Sequence, residues 1–207
     1  MKKGKIFREV VNQAQAFDDS IIVCSTHGAS GFEELFIGSN AFKIISATDL
    51  PVVAIRHGST PRAIKTIVLP IDLTGDTRQK VPITTKIALA FDAEIHVLGV
   101  VSSKSDESET KIKAYTRQVC DYLKEHKVRY TQANRLGGEI CKSILGYSKD
   151  VDADLISIMT EQEEGLGSFV LGTHAQHMLN QSTIPILSIT PKELFILGTF
   201  GSPGSNF

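Results

Sequence analysis

The residues best suited to chemistry lie in one stretch, STHGASGFEELFIGSNA, at positions 25–41. It sets Gly28, Gly31 and Gly38, followed by Ser39, where an apolar run gives way to a helix-periodic one. Glycines let the backbone approach phosphate oxygens, unpaired amides at a helix start donate hydrogen bonds, and the helix dipole adds a favourable potential. Together these are the parts of an anion cradle. The same residues also serve plain structure, with Gly28 and Gly31 as turns and Ser39 as a helix N-cap.

Other constellations carry less. His174 and His177, in HAQH, are three apart on a helical pattern and could face a metal, but zinc needs further ligands that the sequence does not nominate. They are read as a solvated pair or as one N-terminal polar contact, and no metal site is assigned. No Ser/His/Asp order or Cys/His pairing has the elbow or helix cues of a nucleophilic enzyme, so no catalytic residue is assigned. Cys24, Cys120 and Cys141 are odd in number and unrelated in spacing, as expected of free thiols in a reducing compartment.

The elements that must position the cradle follow from composition and periodicity. The chain has 207 residues, 42% hydrophobic and 22% charged, with a formal net charge of −1, and can bury a substantial core. No Lys/Arg block marks a nucleic-acid footprint, and no run of 18 apolar residues or signal-like start marks a membrane or secreted protein. The expectation is a cytoplasmic protein without nucleic-acid or membrane partners.

The chain repeats itself. Residues 18–56 lie over 152–190 without a gap, with identities at Asp18/Asp152, Ile22/Ile156, Thr26/Thr160, Gly31/Gly165, Gly38/Gly172, Ala41/Ala175, Pro51/Pro185 and Ile55/Ile189. Many fall on the glycines and prolines that punctuate structure. Each copy reads as strand, loop, helix, strand. Strands joined by one such helix lie parallel, and their nearly unbroken apolar character implies burial on both faces. A helix precedes each copy, in GKIFREVVNQAQAF and GEICKSILGYSKDV.

The second copy has a longer preface. Residues 64–71 and 93–101 read as strands flanking a helix that contains Pro82 near its start. The polar stretch 102–110 reads as a loop, 111–126 as an amphipathic helix and 128–134 as a third strand. Residues 64–191 thus spell a doubly wound α/β domain of five parallel strands, and 1–57 the back half of another, joined by a linker at 58–63. Nothing ahead of Met1 matches 64–137, so the expectation is a truncated tandem chain. Residues 192–207 read as a tail.

The segments STHGASGFEELFIGSNA and LPVVAI together resemble the universal stress protein family in its tandem form: a strand ending in a Ser-Thr-His-Gly segment, a second glycine three residues on, Gly-Ser opening a helix, and a Pro-Val last strand. Six residues separate Gly31 from Gly38, fewer than the nine of the family's nucleotide-binding consensus. The resemblance implies a flavodoxin-like fold of strand order 3-2-1-4-5, often dimeric through its last strands. Those strands, 50–56 and 184–190, are expected to pair within the chain or in a homodimer.

By the same resemblance, Gly28 and Gly31 line the phosphates of ATP, which would carry Mg²⁺, and the Gly38 amide and Ser39 hydroxyl hold the remaining oxygens. In the second unit Asp72 stands where the family places an Asp beside the nucleotide, and Gly172 and Thr173 match Gly38 and Ser39. There the loop carries Glu161, Glu163 and Glu164, which satisfy the helix dipole themselves and repel a polyphosphate. The expected function is a non-enzymatic stress-response binding protein; the alternatives are a structural dimerisation module or a slow ATPase.

Overall fold

The computed structural model describes residues 5–26, 38–56, 62–160 and 171–191. In chain order the elements are α1 (Ile6–Ala14), β1 (Ile22–Ser25), α2 (Ser39–Ser46), β2 (Val52–Ile55), β3 (Thr66–Ile71), α3 (Val81–Phe91), β4 (Glu94–Val101), α4 (Asp106–Glu125), β5 (Tyr130–Leu136), α5 (Ile140–Asp150), β6 (Leu155–Met159), α6 (Thr173–Gln181) and β7 (Ile186–Ile189). A short 3₁₀ turn, Asp76–Arg78, precedes α3. Residues 58–61 of the linker at 58–63, and the tail 192–207, lie outside the described residues.

The seven strands of the described residues join in one sheet, ordered β1-β2-β7-β6-β3-β4-β5. Every neighbouring pair is parallel except β2 with β7, whose antiparallel register sets Val53 opposite Leu187. Because successive side chains point to opposite faces, the buried strands feed two cores. Ile156 and Ile186 pack with α1, α2, α5 and α6 on one face. Leu155 and Leu187 pack with α3 and α4 on the other. The helices of the second face all belong to the longer preface of the second copy. At the sheet edge on β1, Val23 is consequently 63% exposed.

Two of the boundaries that differ from the sequence expectation have a clear local cause. α4 starts at Asp106, inside the stretch read as a polar loop. The Ser105 hydroxyl caps it by accepting from the Ser108 amide at 3.2 Å, and Asp106, Glu107 and Glu109 meet the positive end of the helix dipole. The polarity marks a solvated first turn. β5 begins at Tyr130, two residues later than expected, because α4 closes through a left-handed Lys127 (φ 57°) and Val128 folds back to donate to the Leu123 carbonyl at 3.0 Å.

One buried carboxylate ties the second copy to its preface. Asp154, next to β6, accepts from the Lys65 and Thr66 amides at 2.8 and 2.9 Å and pairs with the Arg62 guanidinium. Ser20 holds the matching place in the first copy and turns back to the Ala14 and Phe17 carbonyls instead. Asp154→Ala strands two amides at the start of β3 and leaves Arg62 with Asp152 as its remaining carboxylate, so a loss of about 2 kcal/mol is expected in urea denaturation.

Candidate functional site

The connections leave β3 in two directions. Through α3 the chain moves to β4 and then β5 on one side; after α5 it returns to β6 on the other, where β6 pairs parallel with β3. Such a reversal opens a crevice at the carboxyl ends of the two strands, beyond Ile71 and Met159, where open α/β sheets take their ligands.

Asp72 stands at the β3 side of that crevice. Its Oδ1 accepts from the Thr74 amide at 2.8 Å and the Thr74 hydroxyl at 2.6 Å, and its own amide donates to Thr77 Oγ1 at 3.1 Å. This local turn ends β3 and fixes the carboxylate at the crevice edge. At the β6 side, Thr160 donates its amide to the Ile189 carbonyl at 2.8 Å, closing the strand ends.

α6 begins there with Gly172 as N-cap and Thr173 as its first residue, and no side chain among the described residues caps its amides. α2 begins the same way, with Gly38 as N-cap and Ser39 first. Ser39 is therefore not the N-cap that plain structure would make of it. α4 and α5 differ, being capped by the side chains of Ser105 and Glu139. The two helix starts that follow the repeated loops, like those of α1 and α3, thus carry no side-chain cap, a condition an anion site requires.

The first copy presents less. The Gly38 amide donates to the Thr26 carbonyl at 2.5 Å and is committed within the chain, which removes it as a phosphate donor in this arrangement. Ser39 is exposed beside β1, an edge strand with no neighbour beyond it among the described residues. Gly28 and Gly31, and the acidic loop with Glu161, Glu163 and Glu164, lie outside the described residues.

A model of the universal stress protein family matches residues 1–56 and 63–189. The chain belongs to this family. No curated protein matches it. Among solved structures, a universal stress protein from Archaeoglobus fulgidus DSM 4304 aligns at a TM-score of 0.71 and 16% identity, covering 89% of this chain and 66% of that one. This chain therefore spans slightly less than two thirds of that neighbour's length. A universal stress protein in complex with cAMP aligns at 0.52 and 18% identity over 62% of this chain and 98% of that one. One from Archaeoglobus fulgidus in complex with dAMP aligns at 0.51 and 18% over 63% and 100%.

This universal stress protein also holds a residue that the sequence reading passed over. Lys80, immediately before α3, is only 3% exposed, and its ammonium donates to the Thr77 carbonyl at 2.7 Å and to Thr77 Oγ1 at 3.2 Å. Burial lowers its pKa to about 8, against the opposing pull of the Asp72 charge. A cation at the positive end of a helix runs against the dipole preference, and that was the signal available in RQKVPITTK. Gly99, near the end of β4, has a packing role: a Cβ there would lie 3.0 Å from side-chain atoms of Ile112 and Thr116.

Proposed function

We propose that this universal stress protein binds an adenine nucleotide in the crevice between β3 and β6 and works as a stress-response binding protein without classical catalysis. The observation that carries the reading is the reversal of strand order at β3. It sets Asp72 and the side-chain-free start of α6 at the carboxyl edge of adjacent parallel strands. Neighbours of the same fold in complex with cAMP and dAMP support the ligand class.

In this reading the Gly172–Thr173 helix start receives a phosphate, Asp72 accepts from ligand hydroxyls, and the Lys80 amine sets the local potential behind it. Gly28, Gly31 and the Ser39 hydroxyl supply the matching phosphate half in the first copy, without the Gly38 amide, which is committed to Thr26. When bound, ATP with Mg²⁺ would supply a second charged end, which the carboxylates of Glu161, Glu163 and Glu164 oppose.

Titration with ATP, dAMP and cAMP, read by thermal unfolding, tests the proposal. At ten times the dissociation constant a bound nucleotide adds about 1.4 kcal/mol of stability. Asp72→Ala should weaken that binding about tenfold. The absence of a shift with all three nucleotides at millimolar concentration would reject the reading. Phosphate release with Mg²⁺ and ATP would instead favour the slow ATPase. The antiparallel β2–β7 ladder favours a second reading, a module whose role is to join the two copies or two chains.

A further inference from the structure

α5 and α6 pack side by side, and their amino-terminal turns bring three metal-ligating side chains together, with a fourth, His174, beside the thiol. Ligand atoms of Glu139, Cys141 and His177 all lie within 4.8 Å of one another. His174 Nδ1 lies 3.7 Å from Cys141 Sγ, and the thiol also faces the His174 carbonyl at 3.8 Å. We propose that Glu139, Cys141 and His177, with His174 as fourth ligand, form a zinc site independent of the nucleotide reading.

The geometry suits the ion. Zinc–sulfur and zinc–nitrogen bonds of about 2.3 and 2.0 Å in a tetrahedron leave sulfur and nitrogen roughly 3.6 Å apart, close to the separation of Cys141 Sγ and His174 Nδ1. A thiolate with two imidazoles and a carboxylate is a donor set for zinc and not for magnesium or calcium.

The site is also braced before any ion enters. Glu139 caps α5, its two oxygens accepting from the Cys141 and Lys142 amides at 2.8 Å each. This holds the carboxylate beside the sulfur. Burial acts to raise the Glu139 pKa, but the hydrogen bonds from Lys142 and Cys141, with the His177 charge, outweigh it and keep the carboxyl below its ordinary value. Cys141 is fully buried and belongs to the same core as Ala175 and Met178, while His177 is half-buried and Glu139 and His174 are exposed. One flank is rigid and the other open to an incoming ion.

The internal repeat supplies a control. At the positions matching Glu139, Cys141, His174 and His177, the first copy carries Lys5, Phe7, Asn40 and Lys43. None of these four is a zinc ligand. The donor set is thus absent from the copy that otherwise repeats the same order of elements.

Zn²⁺ and Co²⁺ are the probes. The full chain, reduced and stripped with chelator, is titrated with Zn²⁺ in competition with a chromophoric chelator, and separately with Co²⁺ by absorption spectroscopy. The expected result is one tight Zn²⁺ per chain, with loss of the Cys141 thiol proton, and a near-ultraviolet thiolate-to-cobalt band. His177→Asn and Cys141→Ser should each weaken Zn²⁺ by about a hundredfold, and H174N by about tenfold. H174N and H177N change partly exposed positions, so they report binding even if the buried C141S chain fails to fold. Zinc bound no more tightly by the wild type than by the H174N/H177N double variant, or a cobalt spectrum without the thiolate band, would overturn the site. An unchanged affinity in H174N alone would overturn the four-ligand set.

Discussion

Truncating Leu187 to alanine is expected to cost about 4 kcal/mol in urea denaturation, near the upper end of such core deletions. Leu187 is 0% exposed and lies at the centre of β7, with Val53 opposite it in the antiparallel ladder and Ser157 beside it in the parallel one. Its side chain fills the core under α3 and α4, and the preceding Ile186 fills the core under α1, α2, α5 and α6. A cavity there cannot collapse, because the strands on both sides are fixed by their own hydrogen bonds. Val23 offers the control: it is paired with Val53 on the far side of the same row and is largely exposed, so Val23→Ala should cost under about 1 kcal/mol. Similar losses for the two variants would contradict this account of the core.

Stability of the protein relative to a Lys80→Met variant should rise by about 3 kcal/mol between pH 7 and pH 10.5. Lys80 has a folded pKa of about 8 against its ordinary 10.5. Below pH 8 both folded and unfolded chains carry the charge, and the full penalty of burying it is present. Between 8 and 10.5 the folded chain gives up the proton while the unfolded chain keeps it. The unfolded state then binds more protons, so stability rises with pH across that window. Buried thiols act in the opposite sense: burial, followed by the Asp121 charge, pushes Cys120 up to about 11, and burial also raises Cys24. Both are common to the two proteins and cancel in the difference, which is why the comparison with Lys80→Met is the one to measure. Parallel pH profiles would show that Lys80 is not buried as a charge.

Much of the chain's organisation could be read along it. Apolar runs separated by helix-periodic segments pointed to an α/β sheet, and the match of 18–56 to 152–190 pointed to two copies. These signals survive in sequence because the period of a buried strand or amphipathic helix is set by local backbone geometry. Where a local signal had two meanings, the reading slipped. SSKSDESET is polar enough for a loop, yet the Ser105 cap and three acids make it the start of α4. Ser39 looked able to cap α2, yet Gly38 takes that position and leaves Ser39 as the first helical residue.

The site divides along the same line. Asp72, Gly172 and Thr173 could be named from residue types and a resemblance, because each stands at the end of an element whose boundary the sequence marks. Lys80 escaped because a lysine at a helix start reads as solvated until the packing of β3, α3 and β6 shows it buried. The Glu139, Cys141, His174 and His177 cluster escaped for a stronger reason: 33 positions separate Cys141 from His174, and no local periodicity records which turns of α5 and α6 meet.

The sequence alone determined the repeat, the alternation of strands and helices, and the residue types at each helix start, all consequences of short-range geometry. Only the tertiary structure decided that β2 and β7 join the copies into one sheet, that Lys80 lies buried near Asp72, and that Cys141 faces two histidines. Those depend on contacts between distant segments, which cooperative packing selects and local pattern does not encode.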